Sequence, residues 1–550
     1  MDQRARDLIK HGNGLFNSRT GLVSMWQVLA ENFYPERADF NGPLPDANSS
    51  DSLFSSYPVL ARRELGNMFA AMLRPRSAKW FSAHVSDKRL DEDPEARAYL
   101  EYVSDVMWQV MYDPMGNFVR ATKEADHDYA TFGQAVIEPV FSPSEAILFY
   151  RSHHLRDCAW SENAHGKVDV MHRKWRPTAR QLQQLFPDKI SRAVTSALKE
   201  DPEKIIDCRH IVVPDRLYRM ADRSNKKRFP FASLYIESES ETVLEEVPRR
   251  TLGYLIPRWE TVSGSQYARS PATEVALADG RTLQVVVRTL REAGEKHVDP
   301  PMLARQEALR SDIALHSGGI TFYDNEDGAD DRNNDPLRPI DFNGGAMPIG
   351  ADIAASIRED IRNGMFLDKL MLPQIDARAM TAFEVRRRIE EYVRAAAPLF
   401  EPVEEDYNAP LCNETFEILK TAGAFGPIDA VPQSLLRADI HFTFQSPLRN
   451  MADANKASVF VQGLGMMGQA AQFDPALTAS VDIGAGLKDS LRAMGYPATW
   501  IADDKKVEAV RQQLQQKAAA QQGITTLGAG ADIGTRVGDA AHKLSQAGIL

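Results

Sequence analysis

An α+β fold is predicted for this chain, and three features predict it. Between Tyr267 and Glu390 two long amphipathic helices point in opposite directions and are joined by a polar excursion. Before them, short alternating strands follow and interrupt helices, which is a mixed pattern. After them, helical periods dominate around one further strand.

The helix pair organises the rest. Ser270-Pro271 opens the first helix: an N-cap serine accepts from an orphan amide, and the adjacent proline gives up an N–H that would go unpaired. The helix is expected to end near Gly294. Leu283, Val286, Val287 and Leu290 fall on one face, and Arg281, Arg288 and Arg291 stay off it. The return helix places Ile349, Ile353, Ile357, Ile361 and Met365 on one drifting stripe and is expected to break at Asn363-Gly364. Each helix would be roughly 25 to 38 Å long at ~1.5 Å per residue. Pro300-Pro301, Gly318-Gly319 and the acidic run Asp324 to Asp331 punctuate the excursion, with Gly319 to Tyr323 as one short strand. A loop, Leu372 to Arg378, follows the return helix, and Thr381 with Glu384 forms a capping box for a third helix. On periodicity alone a helix pair inside an ordinary α-helical enzyme is the preferred reading, and it is the rest of the chain that overturns it.

In chain order, helices are expected over Arg19 to Phe33, Pro58 to Leu73, Pro94 to Val110 and Asn117 to Thr131. A strand is expected within Lys79 to Val85. The segments Ala135 to Phe141, Ile147 to Arg151 and Val168 to Lys174 read as strands, with Asn163 to Gly166 as a turn. Helical pieces at Ala179 to Leu185 and Ser191 to Leu198 precede strands around Ile211 and Phe231 to Glu237. Beyond Glu390 kinks are expected at Pro398, Pro402 and Pro410, then a strand at Arg437 to Gln445. Helices at Asn450 to Gln472, Ile483 to Met494 and Asp503 to about Gln521 follow. The last thirty residues have too little apolar bulk for a core and are expected to be mobile or held by neighbours.

Composition narrows the function classes. With 550 residues, 43% hydrophobic and 26% charged, the chain has core enough for two or more domains of an ordinary globular protein. No apolar run reaches the ~18 residues of a membrane span, and the charged start Met1 to Asp7 is not a signal peptide. Three scattered cysteines, Cys158, Cys208 and Cys412, fit neither a disulfide framework nor a metal motif and suit a reducing cytoplasm. A net charge of −11 argues against a broad basic grip on nucleic acid, though not against a surface past which DNA slides.

Several stretches in series carry a resemblance. They are Leu73-Arg74-Pro75 before Lys79-Trp80-Phe81, Thr131-Phe132-Gly133-Gln134, the hairpin Asp157 to Asp169, Thr178 to Leu182, Ile256 to Trp259, and Gln266-Tyr267-Ala268-Arg269-Ser270-Pro271. Over about residues 10 to 480 the chain resembles the head-to-tail connector, or portal, proteins of short-tailed phages (podoviruses). Ala268 departs from the glycine usual there, which touches only the local backbone angle. The resemblance implies a portal fold with this division: 1–266 a mixed α/β wing, 267–297 the first stem helix, 298–345 a clip, 346–366 the second stem helix and 367–380 a tunnel loop. Residues 381–480 would form a long kinked helix returning to the wing, and 481–550 a crown and tail. It implies a ring of twelve subunits at one capsid vertex, assembled in the host cytoplasm. The ring would be a conduit for genome packaging and ejection, and a dock for the terminase large subunit and then tail adaptor proteins. Major capsid and scaffolding proteins are further implied partners; no membrane is. An enzyme is not expected, and a tail adaptor or other virion protein without a channel is the alternative.

Within that frame Lys369, Gln374 and Arg378 are candidates to face double-stranded DNA from the tunnel loop. Asp324, Glu326, Asp327, Asp330 and Asp331 are candidates for partner docking on the clip. Gly463, Gly465 and Gly468 spell a dinucleotide fingerprint, but a helical period precedes them where a strand is required, so close helix packing is preferred. The acidic run lacks carboxylates at the first and last places of a calcium loop, and His153, His154, His165 and His172 have no zinc spacing. No phosphate-binding loop motif appears, so no ATP hydrolysis, metal or cofactor is expected.

Overall fold

The computed structural model describes residues 3–42, 53–217, 229–300, 302–304, 337–339, 347–370, 398–427, 431–444, 459–469, 482–493 and 507–514, a few single positions excepted. In chain order the helices are α1 (Gln3–Ser18), α2 (Thr20–Phe33), α3 (Tyr57–Leu73), α4 (Lys88–Asp91), α5 (Pro94–Met111), α6 (Phe118–Phe132), α7 (Ala179–Leu185), α8 (Arg192–Glu200), α9 (Pro271–Val298), α10 (Met347–Gly364), α11 (Leu367–Leu370), α12 (Ala409–Ala422) and α13 (Ile483–Ala493). The strands are β1 (Phe81–Val85), β2 (Ile137–Ser142), β3 (Ile147–Ser152), β4 (Cys158–Glu162), β5 (Val168–Trp175), β6 (Cys208–Pro214), β7 (Phe231–Glu237), β8 (Thr242–Arg249), β9 (Glu260–Thr261), β10 (Ala268–Arg269), β11 (Met302–Ala304), β12 (Leu337–Pro339) and β13 (Ile440–Phe444). This mixture of helices and small sheets agrees with the α+β expectation.

Two compact units divide the chain. The first comprises Met1–Ser82, Ser104–Gly426 and Phe442–Leu448, and the second Ala83–Val103, Pro427–His441 and Arg449–Leu550. In the first, β4 to β8 form an antiparallel sheet in sequence order. Its central strand β6 is buried at every residue. The reason is that both faces are covered: Ile211 and Val213 point to a core closed by Ala5 of α1, while Cys208 points to a core with Ala179 and Leu182 of α7 and Val194 and Ala197 of α8. Helix α1 and strand β8 were not anticipated. Thr178 and Gln181 make the capping box that starts α7.

Elsewhere in this unit Trp26, Phe33, Phe69, Tyr129 and Phe132 fill the space among α2, α3 and α6. The expected kink near Pro410 takes the form of a π-helical turn, Glu404–Asn408, just before α12. Pro410 has no N–H for the carbonyl four residues back, so the helix absorbs an extra residue there. Ala268 lies in β10 without a positive φ, so the departure at that position costs nothing.

In the second unit residues 459–469 are helical, and Gly486 of α13 lies against the ring of Phe460. The strand expected at Gly319 to Tyr323, the capping box at Thr381 and Glu384, and the last thirty residues lie outside the described residues. Within the excursion β11 pairs antiparallel with β12, a pairing not anticipated.

Candidate functional site

The helix pair α9 and α10 is the candidate functional element, and its geometry begins at its seat. Ser270 Oγ accepts from the Thr273 N–H (3.3 Å) and donates to the Ala130 carbonyl (2.7 Å). Thr273 Oγ1 donates to the Thr131 carbonyl (2.6 Å). Two carbonyls in the last turn of α6 are thus satisfied by the first turn of α9, so each helix end completes the other. Gly133 ends α6 at φ 73°, and a Cβ there would strike the backbone of Arg269 and Ser270. Higher up, Gln284 grips an extended strip of chain: its Oε1 accepts from the N–H of Phe54 (2.8 Å) and Ser55 (2.7 Å), and its Nε2 donates to the Ser55 carbonyl (2.8 Å).

The two helices run antiparallel. A Cβ on Gly350 would lie 2.6 Å from Leu290, and one on Gly364 would lie 3.6 Å from Ala276, so residue numbers facing each other sum to 640 at both ends. Helix α9 extends to Val298, past the expected end at Gly294, with Lys296 and His297 in its last turn where positive charge suits the dipole. Its 28 residues make about 42 Å, longer than expected, at ~1.5 Å per residue. The return stripe divides. Ile357, Ile361 and Met365 are buried, but Ile349 is 61% and Ile353 48% exposed. On α9, Val275 and Val285 are 63% and 64% exposed. The helix pair therefore leaves apolar side chains uncovered on this single chain.

Behind the seat lies a buried ion pair. Arg74 donates to Asp126 and to Asn408 Oδ1 (2.7 Å), and its guanidinium lies 4.4 Å from the Tyr407 ring centre. Burial works against the Arg74 charge, and Asp126 with Tyr407 more than offsets it, so its pKa stands above the ordinary value. The Trp80 indole N–H donates to Tyr112 Oη (3.0 Å), which donates to the Arg74 carbonyl (3.3 Å). The stretches Leu73 to Pro75 and Lys79 to Phe81 thus join α3, α6 and the π-helical turn.

A second buried cluster ties β2 to the five-stranded sheet. His153 Nε2 lies 2.8 Å, Arg173 3.6 Å and His210 Nδ1 3.4 Å from the Glu138 carboxyl oxygens. Burial alone would raise Glu138, but Arg173, His153 and His210 hold it well below the usual carboxylate range. Burial lowers His210 to about 4 against the pull of Glu138, and Arg173 Nε donates to Tyr254 Oη (2.9 Å). Sequence patterning missed both clusters, because an ionisable residue in a strand or helix reads as a solvated face until its partner from a distant segment is known.

Of the residues proposed from sequence, Lys369 is described. It is exposed, with Nζ 5.5 Å from the Phe366 ring centre. The span 367–380, expected to be loop, begins with the helical turn α11, which Phe366 at φ 57° separates from α10. Asp368, beside Lys369, is held by Arg362 at 2.5 Å. Gln374, Arg378, Asp324, Glu326, Asp327, Asp330 and Asp331 lie outside the described residues. Gly463, Gly465 and Gly468 sit within the helix 459–469 rather than at a strand-to-helix turn. A Cβ on any of them would meet no described atom within 4 Å, whereas one on Gly486 would strike Phe460 of that helix 459–469.

The histidines are engaged singly: His153 with Glu138, His154 with Asp39 (2.6 Å) and His172 with His11 (3.1 Å). Among the described residues no group of three ligating side chains could hold a metal. All three cysteines are buried, and burial pushes the Cys158 and Cys208 thiols up to about 12, away from thiolate reactivity. A cleft of about 320 Å³ between α6 and β3 is lined by Asn117, Arg120, Glu124, Arg151, Ser152 and His153, a charged wall rather than the apolar one that suits small ligands. No described helix is long and apolar enough to cross a membrane.

The chain belongs to the family of bacteriophage head to tail connecting proteins, whose model matches residues 5–501. It is 26% identical over 543 residues to a probable portal protein of Bordetella phage BPP-1, covering 96% of this chain and 95% of that one. It is 24% identical over 533 residues to a portal protein of Salmonella phage epsilon15, covering 94% and 92%.

Proposed function

We infer that this chain is a phage portal subunit, the head-to-tail connector through which the genome is packaged and ejected. Membership of the connecting-protein family along most of the chain supports this class, and one structural observation carries the reading further. The hairpin of α9 and α10 is seated at its base by Ser270 and Thr273 and gripped higher up through Gln284, yet exposes Val275, Val285, Ile349 and Ile353. A solitary helix pair with such faces needs neighbours, and a closed ring of identical subunits supplies them.

In this reading α9 and α10 are the stem, the excursion 298–345 is the clip, residues 367–380 border the channel, 1–266 form the wing and 481–550 the crown. A ring of twelve at one capsid vertex would accept the terminase large subunit on the clip and tail adaptor proteins later, with capsid and scaffolding proteins around the wing. Lys369, Gln374 and Arg378 would touch phosphate weakly, because Asp368 and Asp376 beside them limit the net attraction and a mainly acidic chain keeps DNA from sticking. Asp324, Glu326, Asp327, Asp330 and Asp331 would face the packaging and tail partners. Replacing Asp324 to Asp331 by a short Gly-Ser link should leave rings intact and weaken binding of terminase or adaptor. Unchanged binding would place the dock elsewhere.

A further inference from the structure

We propose that neighbouring hairpins join through a specific register of charges, Arg281 to Glu359 and Arg288 to Asp352, with Val285 seated on Ala355 between them. The partner is a second copy of this chain, so the proposal rests on the ring reading above and adds which residues meet.

The argument begins with directions around each helix. At about 100° per residue, Arg281 and Arg288 lie roughly 140 to 160° around α9 from Leu283, the buried residue facing α10. Asp352 and Glu359 lie roughly 160 to 180° around α10 from the stripe of Gly350, Ile357 and Ile361 that faces α9 or the core. Both charged rows therefore point away from the partner helix within the hairpin, in opposite directions. All four residues are exposed, and so is Ala355. Arg281, Asp352 and Glu359 have no ion-pair partner among the described residues, while Arg288 leans on its own Glu292 at 2.7 Å and lies 5.4 Å from the Phe54 ring centre, contacts it would exchange for Asp352.

Height along the helices comes next. Facing residues sum to 640 at Gly350 with Leu290 and at Gly364 with Ala276. By that rule Arg281 stands level with Glu359, Val285 with Ala355 and Arg288 with Asp352. Three steps of one outward row on α9 thus match three steps of the outward row on α10, plus to minus, a 64% exposed valine to a small residue, plus to minus. Between Gly280 and Arg291 the α9 sequence contains three arginines and no acid, which sharpens the contrast in sign. Because the matching heights are equal, a neighbour brought into contact by rotation alone, without sliding along the helix, puts each pair together. Rotation without translation is the operation that closes a ring rather than drawing out a filament. The interface is heterologous, one basic and one acidic face per copy, and like charges disfavour any contact of two identical faces.

Charge reversal in trans tests this on the full-length chain. One variant carries R281E and R288E, the other D352R and E359R, and native mass spectrometry with negative-stain images counts rings at low and physiological salt. Wild-type rings are the reference; their absence would count against the ring reading itself rather than this register. Each variant alone should lose at least tenfold in assembled fraction, since every interface then opposes like charges. Mixed in equal amounts, the two should assemble again into rings of alternating subunits, a recovery that misfolding could not give. Undiminished rings from either variant alone, or no recovery on mixing while circular dichroism matches wild type, would overturn the register.

Discussion

Replacing Arg74 by methionine probes the buried pair behind the hairpin seat. Arg74 and Asp126 expose only 2% and 1% of their side chains, so removing the guanidinium strands a carboxylate that water cannot reach. Breaking such a pair from one side costs about 3 to 5 kcal/mol. The lost hydrogen bond to Asn408 Oδ1, 2.7 Å long, adds about 1 kcal/mol, and the guanidinium's contact with the Tyr407 ring is lost with it. The double variant R74M/D126L removes both charges together and should recover most of the loss, because two apolar groups leave no charge stranded. Urea unfolding followed by tryptophan fluorescence suits the measurement, since Trp80 is linked to Arg74 through Tyr112. The reasoning is refuted if R74M costs less than about 1 kcal/mol, or if the double variant costs the sum of the two single ones.

Acid should loosen α1 through His172. Burial lowers this histidine to about 3, with His11 and Arg209 pushing the same way. The neutral form is thus favoured in the folded state, stability is full above the ordinary value of 6.5, and it falls as pH drops from 6.5 toward 3. Near pH 5 this one residue accounts for about 2 kcal/mol, and H172Q should flatten the slope of the unfolding midpoint between pH 7 and 5. S270A should destabilise by about 1 to 2 kcal/mol through loss of the N-cap, seen as faster amide exchange in the first turn of α9. G133A should cost more than about 2 kcal/mol, since a Cβ there meets Arg269 backbone and φ is positive; a thermal midpoint within error of wild type would contradict the seat described here. Changing Lys369 and Arg378 together to alanine should preserve assembly while altering DNA retention or packaged length, and wild-type packaging and retention at both low and high salt would remove them from the DNA path.

Local signals were legible in the sequence where one segment decides its own structure. Ser270-Pro271 marked the start of α9, Gly133 the end of α6, and the alternation of Phe231 to Glu237 its strand. What escaped was set by distant partners. Helix α1 carries Ala5, Leu8, Ile9 and Leu15 at helical spacing against the sheet, but Gly12-Asn13-Gly14 interrupts the run with weak helix formers, so the segment does not announce itself. Strand β8 reads as charged because only Leu244 within it is buried. The pairs Arg74 with Asp126 and Arg173 with Glu138 join residues dozens of positions apart. The return stripe holds as a period, and its half-burial, with Ile357, Ile361 and Met365 covered and Ile349 and Ile353 exposed on a single chain, is what one hairpin alone can achieve. That exposure is what points to neighbours.

The mass of the purified full-length protein in solution, read together with electron-microscope images of the same sample, tests the central claim most directly. A closed ring of about twelve copies with an open centre, persisting over a wide range of dilution, is the expected result. A stable monomer across concentrations and salts would contradict the account.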